Sequence, residues 1–387
     1  MRNPLNLEKR LELRKGQNAL RILKPKTELV DFSSNDYLGF SSSGFILKNT
    51  NLLLEKFKLN KNGSTGSRLL CGNHELFTVT EEFLAHFHAA PAALIFNSGY
   101  DANVGFFSSV PQRGDIIIYD ELVHASIRDG IMMSRAKALK FPHNDLEKLN
   151  NKIKNIRDQN INALGEIYIV TESVFSMDGD IPPLKDLARL AEDNDCFLVI
   201  DEAHAVGVFG EKGKGLVNEL ELEDKMFART VTFGKAMGTH GAAILGSEKL
   251  IEYLLNFSRS FIYTTALPPH SVAGILSAYQ HLDNSGEALQ AISNLNENIS
   301  LFKKNVAKFD LGAVFVQSVT AIQCCIVPGN KEVKLLAAKL QENGYDVRPI
   351  LSPTVPQGSE RLRICLHSFN TPEEIKGLVK LMATFIK

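Results

Sequence analysis

The sequence predicts an α/β protein, with a mostly parallel central sheet in a large domain and a smaller α+β domain at the C-terminal end. Three observations carry this. Short apolar runs, 92–96, 116–119, 167–170, 197–200 and 230–233, recur along the chain and are apolar on both faces, as strands covered by helices on both sides must be. Longer amphipathic stretches of helical period, such as 184–192, separate them. After Leu267-Pro268-Pro269 the pattern changes to long helices near 271–282 and 288–309, strands near 321–327 and 361–365, and a last helix from Pro372.

The elements follow in order. Leu5, Leu7, Leu11, Leu13, Leu20 and Leu23 are spaced among charges, which predicts an amphipathic leading helix over 5–23. The expected division is an N-terminal arm over 1–45, a large domain over 46–267 and a small domain over 268–387, in a chain of 387 residues that suits more than one core.

Composition narrows the function. Lys and Arg total 43 against 44 Asp and Glu, a net charge of -1. That balance offers no electrostatic footprint for nucleic acid or an anionic membrane, so neither is expected as a partner. No apolar run approaches the roughly 20 residues that span a bilayer, and the charged start at 1–15 has no secretory character. Cys71, Cys196, Cys324, Cys325 and Cys365 form no Cys-x-x-Cys pair. They read as reduced, mostly buried thiols of a cytoplasmic protein, with no metal site expected.

Ligands of open parallel sheets sit beyond the carboxyl ends of strands. Those ends carry Asn97-Ser98-Gly99-Tyr100, Asp120 with His124, Thr171-Glu172-Ser173 with Ser176, Asp201 with His204, and Gly234-Lys235. Asp201-Glu202-Ala203-His204 also spells the acid signature of nucleic-acid motors. A motor needs an upstream phosphate loop, Gly-x-x-x-x-Gly-Lys-Ser/Thr. The nearest approach, 210–215, lies downstream with the wrong spacing and no hydroxyl after its lysine.

Lys235 fits a different chemistry. It stands in a charge-poor, glycine-punctuated stretch, where a desolvated amine is nucleophilic. Such an amine binds the aldehyde of pyridoxal 5'-phosphate, and Asp201, at another strand end, can keep the pyridine nitrogen protonated. His204 can hydrogen-bond the ring oxygen, and His124 can stack on the ring. Ser98-Gly99-Tyr100 opens a helix whose N–H groups, with the Thr232 hydroxyl, can hold the phosphate. A binding protein on a dead scaffold would be expected to lack Lys235 or Asp201, and both are present.

Ser173–Asp180, Asp201–His204, Thr232–Lys235, Asp31–Gly39, Pro353–Pro356 and Arg361–Arg363 resemble the motifs of the α-oxoamine synthases. These are fold type I pyridoxal-phosphate acyltransferases, and the resemblance covers nearly the whole chain. It implies that Lys235 carries the cofactor and removes the substrate α-proton. It implies that Asp201 meets the ring nitrogen, His204 and Ser176 the ring oxygen, and His124 the ring face. Gly99, Tyr100 and Thr232 would take the phosphate, with Thr265 reaching the phosphate of a neighbouring subunit. Asn35 and Arg363 would hold the amino-acid carboxylate, and Arg21 and Thr354 would touch substrate. A homodimer is implied, its interface lined by 63–68. The implied reaction condenses L-alanine with a pimeloyl thioester, on coenzyme A or acyl carrier protein, with loss of carbon dioxide, in biotin biosynthesis.

One departure bears on the acyl group. Members acting on pimeloyl thioesters commonly read Arg-Pro-Pro-Thr-Val-Pro, where this chain has Leu351-Ser352-Pro353-Thr354-Val355-Pro356, with Arg348 three residues before the leucine. Members taking other acyl groups also lack that arginine. Glycine C-acetyltransferase, 5-aminolevulinate synthase and serine palmitoyltransferase chemistry therefore stay open.

Overall fold

A computed structural model of the chain describes residues 3–23, 28–158 and 165–386. Its packing divides into two units, one of 36–176 and 181–292, the other of 1–35, 177–180 and 293–387. The expected boundaries at 45 and 267 differ from these for two physical reasons. Helix Pro269–Asn284 packs on helices Gly44–Lys56 and Glu75–Phe87 and buries Val272, Ile275 and Leu276 there, which ties it to the large unit. Strand Val30–Asp31 pairs in parallel with Tyr345–Asp346, which ties the N-terminal residues to the small one.

The large unit holds a seven-stranded sheet: β1 (Ala92–Phe96), β2 (Ile116–Asp120), β3 (Lys137–Phe141), β4 (Ile167–Glu172), β5 (Phe197–Asp201), β6 (Ala228–Thr232) and β7 (Ala242–Gly246). Their spatial order is β1-β7-β6-β5-β4-β2-β3. All run one way except β7, which is antiparallel to both β1 and β6. The segment 233–241 between β6 and β7 is too short for a crossover helix, so the chain must return antiparallel. That short return carries Lys235. The carboxyl ends of the other six strands share one edge of the sheet.

Five of these strands are those expected from the sequence. β3 and β7 are additional. β3 is an edge strand with Lys137 and Lys140 exposed, so its pattern lacks the two-sided apolar signature. Helix Gly99–Ser109 lies across the sheet and buries Ala102, Phe106 and Phe107. Each buried Phe contributes roughly 1.5–3 kcal/mol. Helix Ala125–Met133 packs so close to it that a Cβ on Gly130 would stand 2.8 Å from the Asn103 carbonyl. This contact brings Asn103 and Ser126 together.

In the small unit Arg361–Cys365 is the central strand of a three-stranded antiparallel sheet, between Arg348–Ile350 and Ile322–Ile326. Pro372–Ile386 is the last helix expected from the sequence, while Asn330–Glu342 is additional and buries Val333, Leu336, Ala337 and Leu340. The leading helix spans Leu5–Gly16 rather than 5–23, ending where Asn18 takes a φ of 53°. Among the described residues no helix is long and apolar enough to cross a membrane.

Candidate active site

The sheet edge of the large unit gathers the titratable groups. Asp201 ends β5 and is buried. Its Oδ1 accepts from the Ala203 N–H at 2.9 Å and its Oδ2 from Asn103 Nδ2 at 2.8 Å. Both oxygens are thus aimed by donors. His204 is buried, with Nδ1 2.8 Å from the Tyr37 hydroxyl.

The acid pair of the Asp-Glu-Ala-His stretch is divided. Glu202 points away, fully buried, accepting from the Val217 N–H at 2.9 Å and lying 3.6 Å from Arg229. A Cβ on Gly215 would stand 2.7 Å from its carboxylate. Gly215 therefore closes on Glu202, Gly213 packs on the Gly207 backbone and Gly210 on Gly215, and this loop is no phosphate cradle. The motor reading falls here.

Lys235 sits in the return between β6 and β7. Its carbonyl accepts from the Gly238 N–H at 2.8 Å, and its Nζ donates to Thr232 Oγ1 at 3.3 Å. Gly238 has a φ of +62°, and a Cβ there would come within 2.2 Å of the Ser41 nitrogen, so the turn admits glycine alone. Thr232 also faces Gly99, where a Cβ would meet Thr232 Cγ2 at 2.6 Å. Gly99 starts a helix capped by Ser98, whose Oγ accepts from the Asp101 N–H at 3.1 Å. First-turn N–H groups of a helix have no internal partner and attract anions. Tyr100, partly exposed, donates its hydroxyl to Asp129.

His124 caps helix Ala125–Met133. The Ser126 N–H lies 3.2 Å and Ser126 Oγ 2.8 Å from its Nδ1. Burial of the ring holds its pKa below the ordinary value, against the opposing pull of Asp201. Its backbone N–H donates to Glu172 Oε1 at 2.5 Å. Glu172 is buried at the end of β4, in register with Asp201 on β5. Burial, then the neighbouring Asp201 charge, pushes its pKa well above the usual carboxylate range.

Ser176 is half-buried beyond β4. Thr265 is exposed, and its carbonyl accepts from Asn97 Nδ2 at 2.8 Å, two residues before Gly99. The loop 63–68 packs within its own chain: Ser64 Oγ donates to the Leu267 carbonyl at 2.6 Å and Arg68 pairs with Glu81 at 2.5 Å.

In the small unit, Arg363 is buried and donates to Asn35 Oδ1 at 3.0 Å. Arg21 Nη2 reaches Thr354 Oγ1 at 3.4 Å. Arg348 is bound on both sides of its fork to Asp346, at 2.9 and 2.8 Å. It is a neutralised pair and not a spare cation for an acyl end.

The residues around Lys235 fit pyridoxal phosphate. One place offers an amine, a strand-end hydroxyl and a helix start kept open by a glycine, and another a buried carboxylate aimed by two donors. Sequence reasoning assigned no role to Asn103, Ser126 or Glu172, and quoted Tyr37 only inside a motif. Asn103 carries a readable signal, a polar residue on the apolar face of its helix beside Ala102 and Phe106.

Comparison with known proteins agrees with a pyridoxal-phosphate enzyme. The family model for aminotransferase class I and II matches residues 27–381. The 8-amino-7-oxononanoate synthase of Emericella nidulans is 42% identical over 370 residues, 92% of this chain and 89% of that protein. The crystal structure of 8-amino-7-oxononanoate synthase from Francisella tularensis is 30% identical, with a TM-score of 0.77 over 92% of this chain and 98% of that one. The serine palmitoyltransferase of Sphingomonas wittichii is 26% identical, with a TM-score of 0.86 over 99% of this chain and 96% of that one. With a matching family model over most of the chain and close relatives along its full length, the chain belongs to the α-oxoamine synthases, the pyridoxal-phosphate-dependent acyltransferases within aminotransferase class I and II.

Proposed function

We propose that the chain condenses L-alanine with a pimeloyl thioester to give 8-amino-7-oxononanoate, carbon dioxide and the free thiol, a step of biotin biosynthesis. The observation that carries this reading is the full-length similarity to 8-amino-7-oxononanoate synthases at 42% identity.

The cofactor, when bound, would supply an electron-withdrawing ring able to store the electron pair released at the substrate α-carbon. The chain's own residues would do the rest. Lys235 Nζ would hold the cofactor and take the α-proton, one amine serving as tether and base. Asp201, aimed by Asn103 and the Ala203 N–H, would keep a proton on the ring nitrogen. His204 and Ser176 would hydrogen-bond the ring oxygen. Gly99, Tyr100 and Thr232 would hold the phosphate, and Thr265 would reach that of a second copy. Arg363, fixed by Asn35, orients the alanine carboxylate through its planar fork. Arg21 and Thr354 act together at the substrate, and the chain works as a homodimer lined by 63–68.

The acyl end is met differently from the arginine-bearing relatives. Arg348 is held by Asp346, and Leu351 offers no charge, so a free carboxylate end is left to solvent and a methyl-ester end to apolar surface. Acyl carrier protein and coenzyme A both remain carriers to be tried. A second reading, glycine with an acetyl thioester, is favoured by Leu351 alone. Acetyl, succinyl, pimeloyl and palmitoyl thioesters are assayed against L-alanine and glycine, with the ketone product identified by mass. Highest kcat/KM for pimeloyl with alanine is expected; highest for acetyl with glycine overturns the reading.

A further inference from the structure

Two polar residues outside the expected cofactor set, Asn103 and Ser126, link two members of it, Asp201 and His124. Asn103, 2% exposed, lies between Asp201 and Ser126. Its Nδ2 is 2.8 Å from Asp201 Oδ2 and 3.0 Å from Ser126 Oγ, and Thr230 Oγ1 donates to its Oδ1 at 3.0 Å. The order of donors is forced. A carboxylate accepts only, so the amide must turn its NH₂ toward Asp201, and its second hydrogen then goes to Ser126. Having accepted there, the Ser126 hydroxyl gives its own hydrogen to His124 Nδ1, 2.8 Å away. The Ser126 N–H points at the same nitrogen from 3.2 Å. Two donors on Nδ1 leave no place for a proton on it.

We propose that Asn103 and Ser126 are positioning residues that couple Asp201 to His124, aiming the Asp201 carboxylate and holding His124 as the neutral imidazole with its single proton on Nε2. This rests on the roles given to Asp201 and His124 above. The consequence is a division of roles: Asp201 offers an aimed acceptor, while the imidazole carries no charge and keeps one donor for substrate. The groups that act on the ring agree in balance. Desolvation and the cations Lys235 and Arg128 oppose protonation, while Asp201 and Asp129 favour it. Glu172 accepts from the His124 backbone N–H, and burial, then the Asp201 charge, push its pKa up.

The test needs no turnover. Protein labelled with carbon-13 at the histidine ring is titrated by NMR, the His124 resonance being the one lost in His124→Asn. The native resonance is expected to stay neutral well below the ordinary value of about 6.5. Ser126→Ala is expected to raise the titration by about one unit, since a donor to the neutral form is lost. Ser126→Thr, which keeps the hydroxyl, is expected to restore it. Asn103→Ala frees the Ser126 hydroxyl and is expected to raise it too, while weakening cofactor retention. An ordinary titration in the native protein, or one unmoved by Ser126→Ala, overturns the proposal. Failure of the underlying site reading looks different: His124→Asn would then leave cofactor affinity and turnover unchanged.

Discussion

In the proposed reaction Lys235 and Asp201 divide the chemistry between an amine and a carboxylate, and each makes a separate prediction. Lys235→Ala removes both tether and base. It is expected to lose the visible absorption of covalently held cofactor and about 10³-fold or more in kcat, on the scale of a lost general base; normal turnover in a borohydride-stable holoprotein would refute the assignment. Asp201→Asn keeps the shape and the Asn103 contact but not the charge. Cofactor is expected still to bind, with kcat lower by about 10²–10³, the scale of a lost electrostatic stabiliser. Glu172 adds a pH signature. Its folded pKa is raised, so its contribution is complete below the unfolded value of about 4.3 and declines as pH rises through the folded one. Glu172→Gln, a neutral isostere, is expected to flatten that decline in thermal denaturation measured from pH 4 to 9. A slope identical to the native one would show that Glu172 is charged in the folded chain.

At the scale of elements, the return 233–241 is the piece most sharply constrained. Gly238→Ala forces a side chain into the left-handed region and onto the Ser41 backbone. It is expected to cost on the order of 1–3 kcal/mol and to displace Lys235. The readout is a lower melting temperature together with slower uptake of cofactor, and a variant with native uptake would separate the turn from the site. The same element shows what a sequence can reveal. Lys235 is legible because glycines and the absence of charge surround it. β7 is not, because Ala-Ala-Ile-Leu-Gly following a glycine loop lacks the length and branching of a strand signal. β3 hides behind exposed lysines, since an edge strand is solvated on one side. Asn103 stands out as a polar residue on an apolar helix face, but its role is hidden for another reason: it comes from β5, β6 and helix Ala125–Met133 meeting it at once, and none is near in the chain. The domain division escapes the sequence similarly, since Val30–Asp31 and Tyr345–Asp346 find each other only in space.

At the scale of the molecule, the surface beside Thr265 argues for a second copy. Leu69, Leu70 and Tyr263 are 52%, 84% and 73% exposed. They cluster because helix Arg259–Ile262 packs on the turn Arg68–Gly72, and the Ala266 N–H donates to the Gly66 carbonyl at 3.0 Å. Exposed apolar groups gathered in one place mark an interface, and here the elements that carry them flank the segment of a threonine assigned to the partner's phosphate. If sites are shared, two inactive variants can repair each other. Lys235→Ala lacks the amine but keeps Thr265, while Thr265→Glu keeps the amine but sets a carboxylate against the partner's phosphate. In a mixed dimer of C2 symmetry one site collects both defects and the other collects none. Mixing equal amounts under conditions of subunit exchange is therefore expected to recover about a quarter of native activity, since half the dimers are mixed and each has one intact site. Sedimentation of the mixture confirms that dimers have re-formed. No recovery in a sample shown to contain mixed dimers would mean that each subunit builds its site from its own chain, and that Thr265 serves elsewhere.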